Sequence, residues 1–306
     1  MSENEIYFRG FLTNADASIL QLSFDHGFKI RALSQDEATG FIMAIEKVPK
    51  QEAIRTLFMK YPCMHALEEN RIYVIDNTVK MDADIKEVAR FNRMAGFSNE
   101  MVENYLNCAI RLMRLFREGD LRMPLQYYYA IKNGKPASFM SLKSGRHIST
   151  GSYHLESSEL EELRRFLHDT RIPFDRAFLE LAFENFELSY EIPNIGLSFL
   201  TLMISLEALF NPGESELKHR ISRNAAVLLG HNKEESEMMF LEVKSLYDKR
   251  SRIAHTGESK GISTDDLLRL RHYVRESIKK LHRIGKSKDE ILKLLDSHGF
   301  GEKLPL

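Results

Sequence analysis

The fold of the C-terminal half is decided by one stretch, Leu246-Tyr247-Asp248-Lys249-Arg250-Ser251-Arg252-Ile253-Ala254-His255-Thr256-Gly257. It closes a segment, Glu234 to Ile253, whose apolar residues recur with the 3.6-residue period of an amphipathic helix. Thr256-Gly257 predicts that this helix ends near His255, because glycine readily adopts the left-handed conformation found after a helix C-terminus. The stretch therefore predicts a long helix that carries an arginine and a histidine, with four residues between them, at its end.

The same helical period continues on both sides of this stretch. The composition changes near residue 150, and from about residue 155 onward helical segments follow one another with turn residues between them. Consecutive amphipathic helices joined by short loops predict an all-α bundle. The predicted helices are Leu160 to His168, Phe174 to Tyr190, Ile195 to Phe210, Glu216 to Leu229, Glu234 to Ile253, Thr264 to Arg283 and Ser287 to Ser297.

Three further blocks precede the motif in a fixed order and spacing. They are Phe186-Glu187-Leu188-Ser189-Tyr190, Ile204-Ser205-Leu206-Glu207-Ala208-Leu209-Phe210, and Leu217-Lys218-His219-Arg220-Ile221-Ser222-Arg223 followed by Leu228-Leu229-Gly230. Together with Arg250 and His255, these blocks resemble the HEPN superfamily, most closely its Apea-like branch. The resemblance covers roughly residues 175–285, about a third of the chain.

This resemblance implies a helical domain that forms a homodimer and brings the arginine and histidine of both protomers into one cleft that cleaves RNA without a metal ion. In that cleft His255 would be the acid/base at the 2′-hydroxyl or the departing 5′-oxygen, and Arg250 would hold the phosphate. Lys249 and Arg252, beside the motif, are predicted to bind RNA. We expect neither a cofactor nor a metal site.

Arg250 and His255 cannot share one face of an ideal helix, because five positions turn a side chain by about 140° around the axis. The helix can end near His255, or a partner protomer can complete the pair across a two-fold axis, and we expect both. Ser251 stands where many members of the family carry an amide or an acid. A second hypothesis is therefore a non-catalytic RNA-binding or dimerisation module with a vestigial motif.

Three other residues are predicted to support the helical domain. Glu207 lies in an otherwise apolar helix and needs a partner if it is buried. Arg220 and Arg223, three apart in the next helix, are the expected partners, with RNA phosphate as the alternative role. A basic run in the last third, which includes Arg271 and Arg275, predicts a solvated helix face or, alternatively, a phosphate track.

Residues 1–154 have a different pattern, in which short alternating apolar runs predict antiparallel strands with one buried face. Asn133-Gly134-Lys135-Pro136 predicts a turn between the last two strands. The predicted strands are Ile6 to Leu12, Ile19 to Phe24, Phe28 to Ile30, Ile72 to Ile75, Leu125 to Lys132 and Ala137 to Leu142, and the predicted helices are Ser34 to Ala44, Lys50 to Met59 and Ser98 to Arg117.

The chain is therefore predicted to be α+β, with a mixed, β-rich domain of unassigned role over residues 1–154 and an all-α, HEPN-like bundle over residues 155–306. Lys+Arg number 43 and Asp+Glu 44, a net charge of -1, so RNA contacts must be local. Cys63 and Cys108 form no zinc motif. No run of about 18 apolar residues and no signal sequence occur, which predicts a soluble cytoplasmic protein without a membrane partner.

The function predicted from these observations is that of an RNA-directed, metal-independent ribonuclease of the HEPN type. Such an enzyme would serve as an effector of antiviral defence or of a toxin-like system, in which the N-terminal domain senses a trigger.

Overall fold

The computed structural model describes residues 5–22, 24–60, 71–80, 102–143, 151–211, 213, 216–257 and 261–305. The chain divides into two compact units, Met1–Thr170 and Arg171–Leu306. The first unit contains a β-sheet and the second is helical, which confirms the predicted α+β class. Among the residues just given, no helix combines the length and the apolar character that crossing a bilayer requires.

The first unit is built on a five-stranded antiparallel sheet in the order β2-β3-β1-β4-β5. The central strand, β1, pairs with β3 on one side and β4 on the other. β4 and β5 form a hairpin at Asn133 and Gly134, whose φ angles of 52° and 72° are those of the turn that Asn-Gly favours. The strands are β1 Glu5–Thr13, β2 Lys29–Ser34, β3 Arg71–Lys80, β4 Arg122–Lys132 and β5 Lys135–Lys143.

Helices cover both faces of this sheet. Helix α1, Gln35–Glu46, and helix α2, Lys50–Arg55, pack against the face that holds Tyr127. Helix α3, Cys108–Phe116, packs against the face that holds Tyr128. The prediction of one buried face is therefore wrong, because each face has its own apolar core. Both tyrosines are buried and serve as core residues.

Two predicted elements of the first unit differ from the structure. The strand predicted over Ile19 to Phe24 is instead a 3₁₀ turn, Ala17–Gln21, because the Asp16 carboxylate accepts a hydrogen bond from the Ser18 amide (2.9 Å) and starts the turn. The predicted cap at Ser98 lies outside the described residues. Downstream of it the chain passes from a π-helical segment, Val102–Asn107, into α3.

The boundary between the units also lies later than expected, after Thr170 instead of after residue 154. Helix α4, Leu160–Asp169, which the sequence pattern groups with the helical domain, packs on the sheet unit. Its Leu163 is buried in that core, and the rings of Phe166 and Phe116 have centroids 5.6 Å apart. Burial of this apolar stripe gives α4 to the first unit.

The second unit contains the six predicted helices that follow α4, with bounds close to those expected. Most begin at an asparagine or serine cap, and two arginines bind the carbonyls at helix C-termini: Arg176 donates to Leu281 O (3.1 Å) and Arg223 to Leu295 O (3.0 Å). The helices are α5 Ala177–Glu191, α6 Ile195–Phe210, α7 Leu217–Leu229, α8 Lys233–Thr256, α9 Thr264–Ile284 and α10 Lys288–Asp296.

Two arginines of α9 lie inside this unit. Arg271 and Arg275 are only 2% and 1% exposed, so the solvated face or phosphate track predicted for them is wrong. Arg271 donates to the carbonyl of Ser189 (2.9 Å) and lies 3.9 Å from the ring centroid of Tyr190, whose hydroxyl is 3.3 Å from Arg275 Nη2. These contacts hold α9 against α5.

A pair of glycines in the first unit provides a matched test of packing. Gly119 and Gly151 have similar φ angles, 139° and 145°, which strain any other residue. A Cβ on Gly119 would lie 2.5 Å from Tyr153 Cα, whereas a Cβ on Gly151 would meet no atom of the described residues within 4 Å. Tyr153 cannot easily retreat, since its amide donates to Asn14 O (2.6 Å).

We expect Gly119→Ala to lower the free energy of unfolding by about 3 kcal/mol or more, because it adds a backbone clash to the conformational strain. Gly151→Ala carries the strain alone and should cost about 1–2 kcal/mol. Urea unfolding of both variants measures the difference. Equal losses would contradict the close approach of Tyr153.

Candidate nucleic-acid interface

Arg250 and His255 lie in the last two turns of α8, which ends at Thr256 and is followed by Gly257 with a φ of 70°. The helix is thus regular through both residues. Five positions separate their side chains by about 140° around the axis and about 7.5 Å along it. A single protomer therefore does not present Arg250 and His255 on one face.

Arg250 is paired with a carboxylate of the neighbouring helix α6. Its Nη2 atom lies 3.2 Å from Glu207 Oε1, and the two side chains are 33% and 20% exposed. The partners predicted for Glu207 were Arg220 and Arg223, and that prediction is wrong. Both arginines instead lie near Asp296 at the end of α10, at 3.6 and 3.8 Å, because α7 packs against α10 there.

Tyr247 completes a cluster with these two residues. Its ring is buried, and the guanidinium carbon of Arg250 lies 5.6 Å from the ring centroid. Burial raises the pKa of Tyr247, the negative charge of Glu207 raises it further, and the positive charge of Arg250 opposes them. The charge of one carboxylate thus acts on both a phenol and a guanidinium.

The contact between Glu207 and Arg250 is an ion pair of loose geometry. Glu207 Oε1 is shielded from solvent and receives no well-directed hydrogen bond from any residue that the structure describes, although Arg250 neutralises its charge. A third of the Arg250 side chain remains exposed. The guanidinium can therefore keep Glu207 on one side and meet an anion on the other.

His255 is exposed to solvent. Within the part of the chain that the structure describes, its imidazole forms no hydrogen bond and no ion pair. It does not point into the apolar interior, which would have prevented any contact with RNA. The imidazole is therefore placed to exchange protons with a bound molecule.

The two predicted RNA-binding residues differ in their surroundings. Lys249 Nζ lies 2.6 Å from Asp266 Oδ2, and that carboxylate also caps the start of α9 through Ser263. Lys249 thus joins α8 to α9 in addition to any role with RNA. Arg252 is exposed, and no carboxylate of the described segments lies within ion-pair distance of it. Arg252 is the better placed of the two for a phosphate.

Tyr247 and Asp266 are the site residues that the sequence prediction missed. Tyr247 lies three positions before Arg250 and so borders the same side of α8, a spacing visible in the sequence. Asp266 carries a weaker signal, since Ser263 followed three positions later by an acid is the pattern of a helix cap. Its contact with Lys249 depends on how the helices pack and has no signature in the sequence.

Comparison with protein-family models, with curated proteins and with solved structures finds no match for this chain. The chemistry open to the interface is that of its own residues. These supply a guanidinium, a carboxylate, a buried phenol and an exposed imidazole. Among the residues whose positions are described, no three His, Cys, Asp or Glu side chains come together as possible ligands of a metal ion.

The two charges beside Tyr247 predict that its pKa shifts in opposite directions when each charge is removed. We expect Glu207→Gln to lower the pKa of Tyr247, because a negative charge is removed, and Arg250→Met to raise it, because a positive charge is removed. NMR titration of ¹³Cζ-labelled tyrosine measures both, and Tyr247→Phe assigns the resonance.

Arg269→Met is the matched control, since Arg269 is paired in the same way with Glu242 at 3.0 Å. The pKa of Tyr247 should not change in this variant. Shifts of the same sign in the Glu207 and Arg250 variants would show that the cluster is not formed as described.

Proposed function

We propose that this chain is a metal-independent endoribonuclease of the HEPN type, whose active site is completed by two protomers. The observation that carries the proposal is the exposed imidazole of His255, which has no partner among the described residues. It lies about one and a half turns beyond the partly exposed guanidinium of Arg250 on the same helix. The resemblance of the surrounding blocks to HEPN domains supports it. A role in antiviral defence or in a toxin-like system, and a cytoplasmic location, belong to the same proposal.

The chemistry requires proton transfer and charge neutralisation. His255 takes the proton from the 2′-hydroxyl and the 2′-oxygen bonds to phosphorus. The bond from phosphorus to the 5′-oxygen breaks as that oxygen takes a proton from water. The products are a 2′,3′-cyclic phosphate and a 5′-hydroxyl. Arg250 neutralises the charge that grows on the phosphate, and Glu207 orients Arg250. The buried Tyr247 ring borders this pair.

An apolar face on α5 and α6 supports the two-protomer arrangement. Ser198 and Ser205 of α6 donate hydrogen bonds to carbonyls of α5. These contacts fix the position of α6 along the axis of α5. Each of the four residues that form these two contacts follows directly after an exposed aliphatic residue. All four aliphatic residues lie on the same side of the α5–α6 hairpin. These four residues are Leu181, Leu188, Leu197 and Ile204, between 43% and 54% exposed.

This face is continuous with the site. Glu207 lies three positions after Ile204 and so follows it along the same stripe of α6. A second copy seated on the apolar face would bury the four aliphatic side chains and bring its own α8 toward Arg250. Arg250 and His255 point in different directions within one chain. In the dimer, the arginine of one chain then lies beside the histidine of the other.

A second candidate function is the non-catalytic RNA-binding or dimerisation module. The observation that favours it is the pairing of Arg250 with Glu207 and of Lys249 with Asp266, because both cations are already neutralised. Under this alternative RNA binds and is not cut. The two functions differ in a single measurement, which is cleavage by the wild-type protein.

We expect the purified protein to cleave single-stranded RNA in the presence of EDTA. His255→Ala should slow cleavage by about 10²–10⁴-fold because proton transfer is lost, and Arg250→Ala by about 10²–10³-fold because phosphate charge is no longer neutralised. Gel analysis of end-labelled RNA gives the rates. His231→Ala, at another exposed histidine, and Arg269→Ala, at another arginine paired with glutamate, are the controls and should cleave normally.

The two-protomer site has its own readout. Dimers that contain one Arg250→Ala and one His255→Ala chain, isolated with two different tags, keep one intact site if each site takes its arginine and histidine from different chains. Such mixed dimers should retain about half of the wild-type rate. Mixed dimers as inactive as either parent would refute the shared site, and cleavage that survives both substitutions would refute the catalytic residues.

The apolar face gives a further prediction. Ile204→Glu should convert the protein from dimer to monomer, because it places a charge inside the buried face. Sedimentation velocity measures the change. Met238→Glu, at a 62% exposed methionine of α8, is the control and should remain dimeric. A monomeric wild-type protein, or a dimeric Ile204→Glu variant, would contradict this face as the interface.

A further inference from the structure

A groove opens on the surface of the helical unit where α7 begins beside α8. It is lined by Glu216, Leu217, Lys218, His219 and Lys244 and has a volume of about 680 Å³. That size is within the range of ligand-binding clefts. Neither the motif nor the predicted RNA contacts include any of these residues.

Beside the Glu216 carboxylate, the groove holds two lysines and a histidine, and two of these three side chains have no acidic partner among the described residues. Lys218 is paired with Asp248 (2.7 Å), but Lys244 and His219 have no carboxylate within ion-pair distance among the described residues. Both contact Phe240 instead. The Nζ atom of Lys244 lies 5.5 Å from the centroid of the Phe240 ring, and the centroid of the His219 ring lies 5.3 Å from it. Lys218 and His219 also lie in the first turn of α7, where the helix dipole disfavours positive charge. Helix stability therefore does not explain them.

The groove lies on the His255 side of α8. Eleven positions separate Lys244 from His255, which places them about 20° apart around the helix and about 16 Å apart along it. Arg250 lies on another side, about 120° away from Lys244. In one protomer, the exposed imidazole of the motif therefore faces the same direction as the groove cations, whereas the motif arginine does not.

We propose that this groove binds the backbone of the RNA strand that is cut at His255, with the identity of the strand resting on the proposed function. Lys244 and Lys218 hold phosphates there. The exposed His219 ring, supported edge-on by Phe240, provides a surface for stacking a base.

The spacing specifies the length of RNA. About 16 Å corresponds to about five stacked nucleotides at ~3.4 Å each, so a strand must extend well beyond the scissile phosphate to reach the groove. The groove is thus a subsite for longer RNA, and a tetranucleotide bound at His255 does not reach it. An acidic protein segment, the competing occupant, would not combine phosphate contacts with base stacking.

The test measures binding without cleavage. A fluorescent 2′-O-methyl RNA of about 12 nucleotides cannot be cut by attack of the 2′-oxygen, and its anisotropy in EDTA gives the dissociation constant at a series of NaCl concentrations. The full-length His219→Gln/Lys244→Gln variant should bind this RNA about tenfold more weakly, with a salt slope lower by about 0.7 for each phosphate that is no longer neutralised. Binding of a 2′-O-methyl tetranucleotide should not change.

The matched control is Lys286→Gln/Lys293→Gln, which removes two exposed lysines outside the groove and should leave affinity and slope unchanged. Lys244→Glu alone is a second, smaller change and should weaken the binding of the 12-mer by adding a negative charge. Circular dichroism melts confirm that each variant is folded before binding is compared.

The inference is overturned if the groove variants bind the 12-mer like the wild type or if the control weakens binding equally. It is also overturned if poly-L-glutamate binds the wild type more tightly than the 12-mer does and loses that affinity in the groove variant. It is also overturned if the tetranucleotide loses affinity equally, because the groove would then not be a separate subsite. Groove-dependent binding by a wild-type protein that cuts no RNA would support this inference while refuting the proposed ribonuclease.

Discussion

Two guanidinium groups enclosed in the helical unit constrain the arrangement of its helices. A charge in a low-dielectric interior costs several kcal/mol unless it is hydrogen-bonded and compensated, so Arg271 and Arg275 must keep their contacts with Ser189 and Tyr190. Those contacts fix the position of α9 along α5. Serine-to-carbonyl hydrogen bonds then fix α5 against α6, and α6 carries Glu207 to the place where it meets α8. The orientation of the motif arginine depends on this series of contacts.

The local elements were predictable because their causes are local. Helix bounds follow from the 3.6-residue period and from caps such as Ser263, and the Asn133-Gly134 hairpin follows from backbone preference. The pairing of charges was not predictable in the same way. Arg271 resembles any solvated arginine in the sequence, because its partner Ser189 lies 82 positions away. Glu207 was expected to pair with the adjacent helix, whereas packing gave it Arg250.

The candidate site shows the same division between sequence and packing. The motif identified Arg250 and His255, but the sequence could not show that one would be partly buried beside a carboxylate and the other exposed. Lys249, which faces a neighbouring helix, is neutralised by Asp266, whereas Lys244 has no acidic partner among the residues described. A chain with a net charge of only -1 can thereby present a local surface for a polyanion.

Asp266 performs two tasks with one carboxylate. It caps the first turn of α9 through Ser263, and it also receives Lys249 from α8. Burial alone would raise the pKa of Asp266, but these hydrogen bonds outweigh it and lower the pKa. Neither partner can be exchanged without cost to both helices. During divergence, positions 249 and 266 should therefore change together or not at all, so a correlated pair of substitutions across descendants would record this junction even after the motif itself had disappeared.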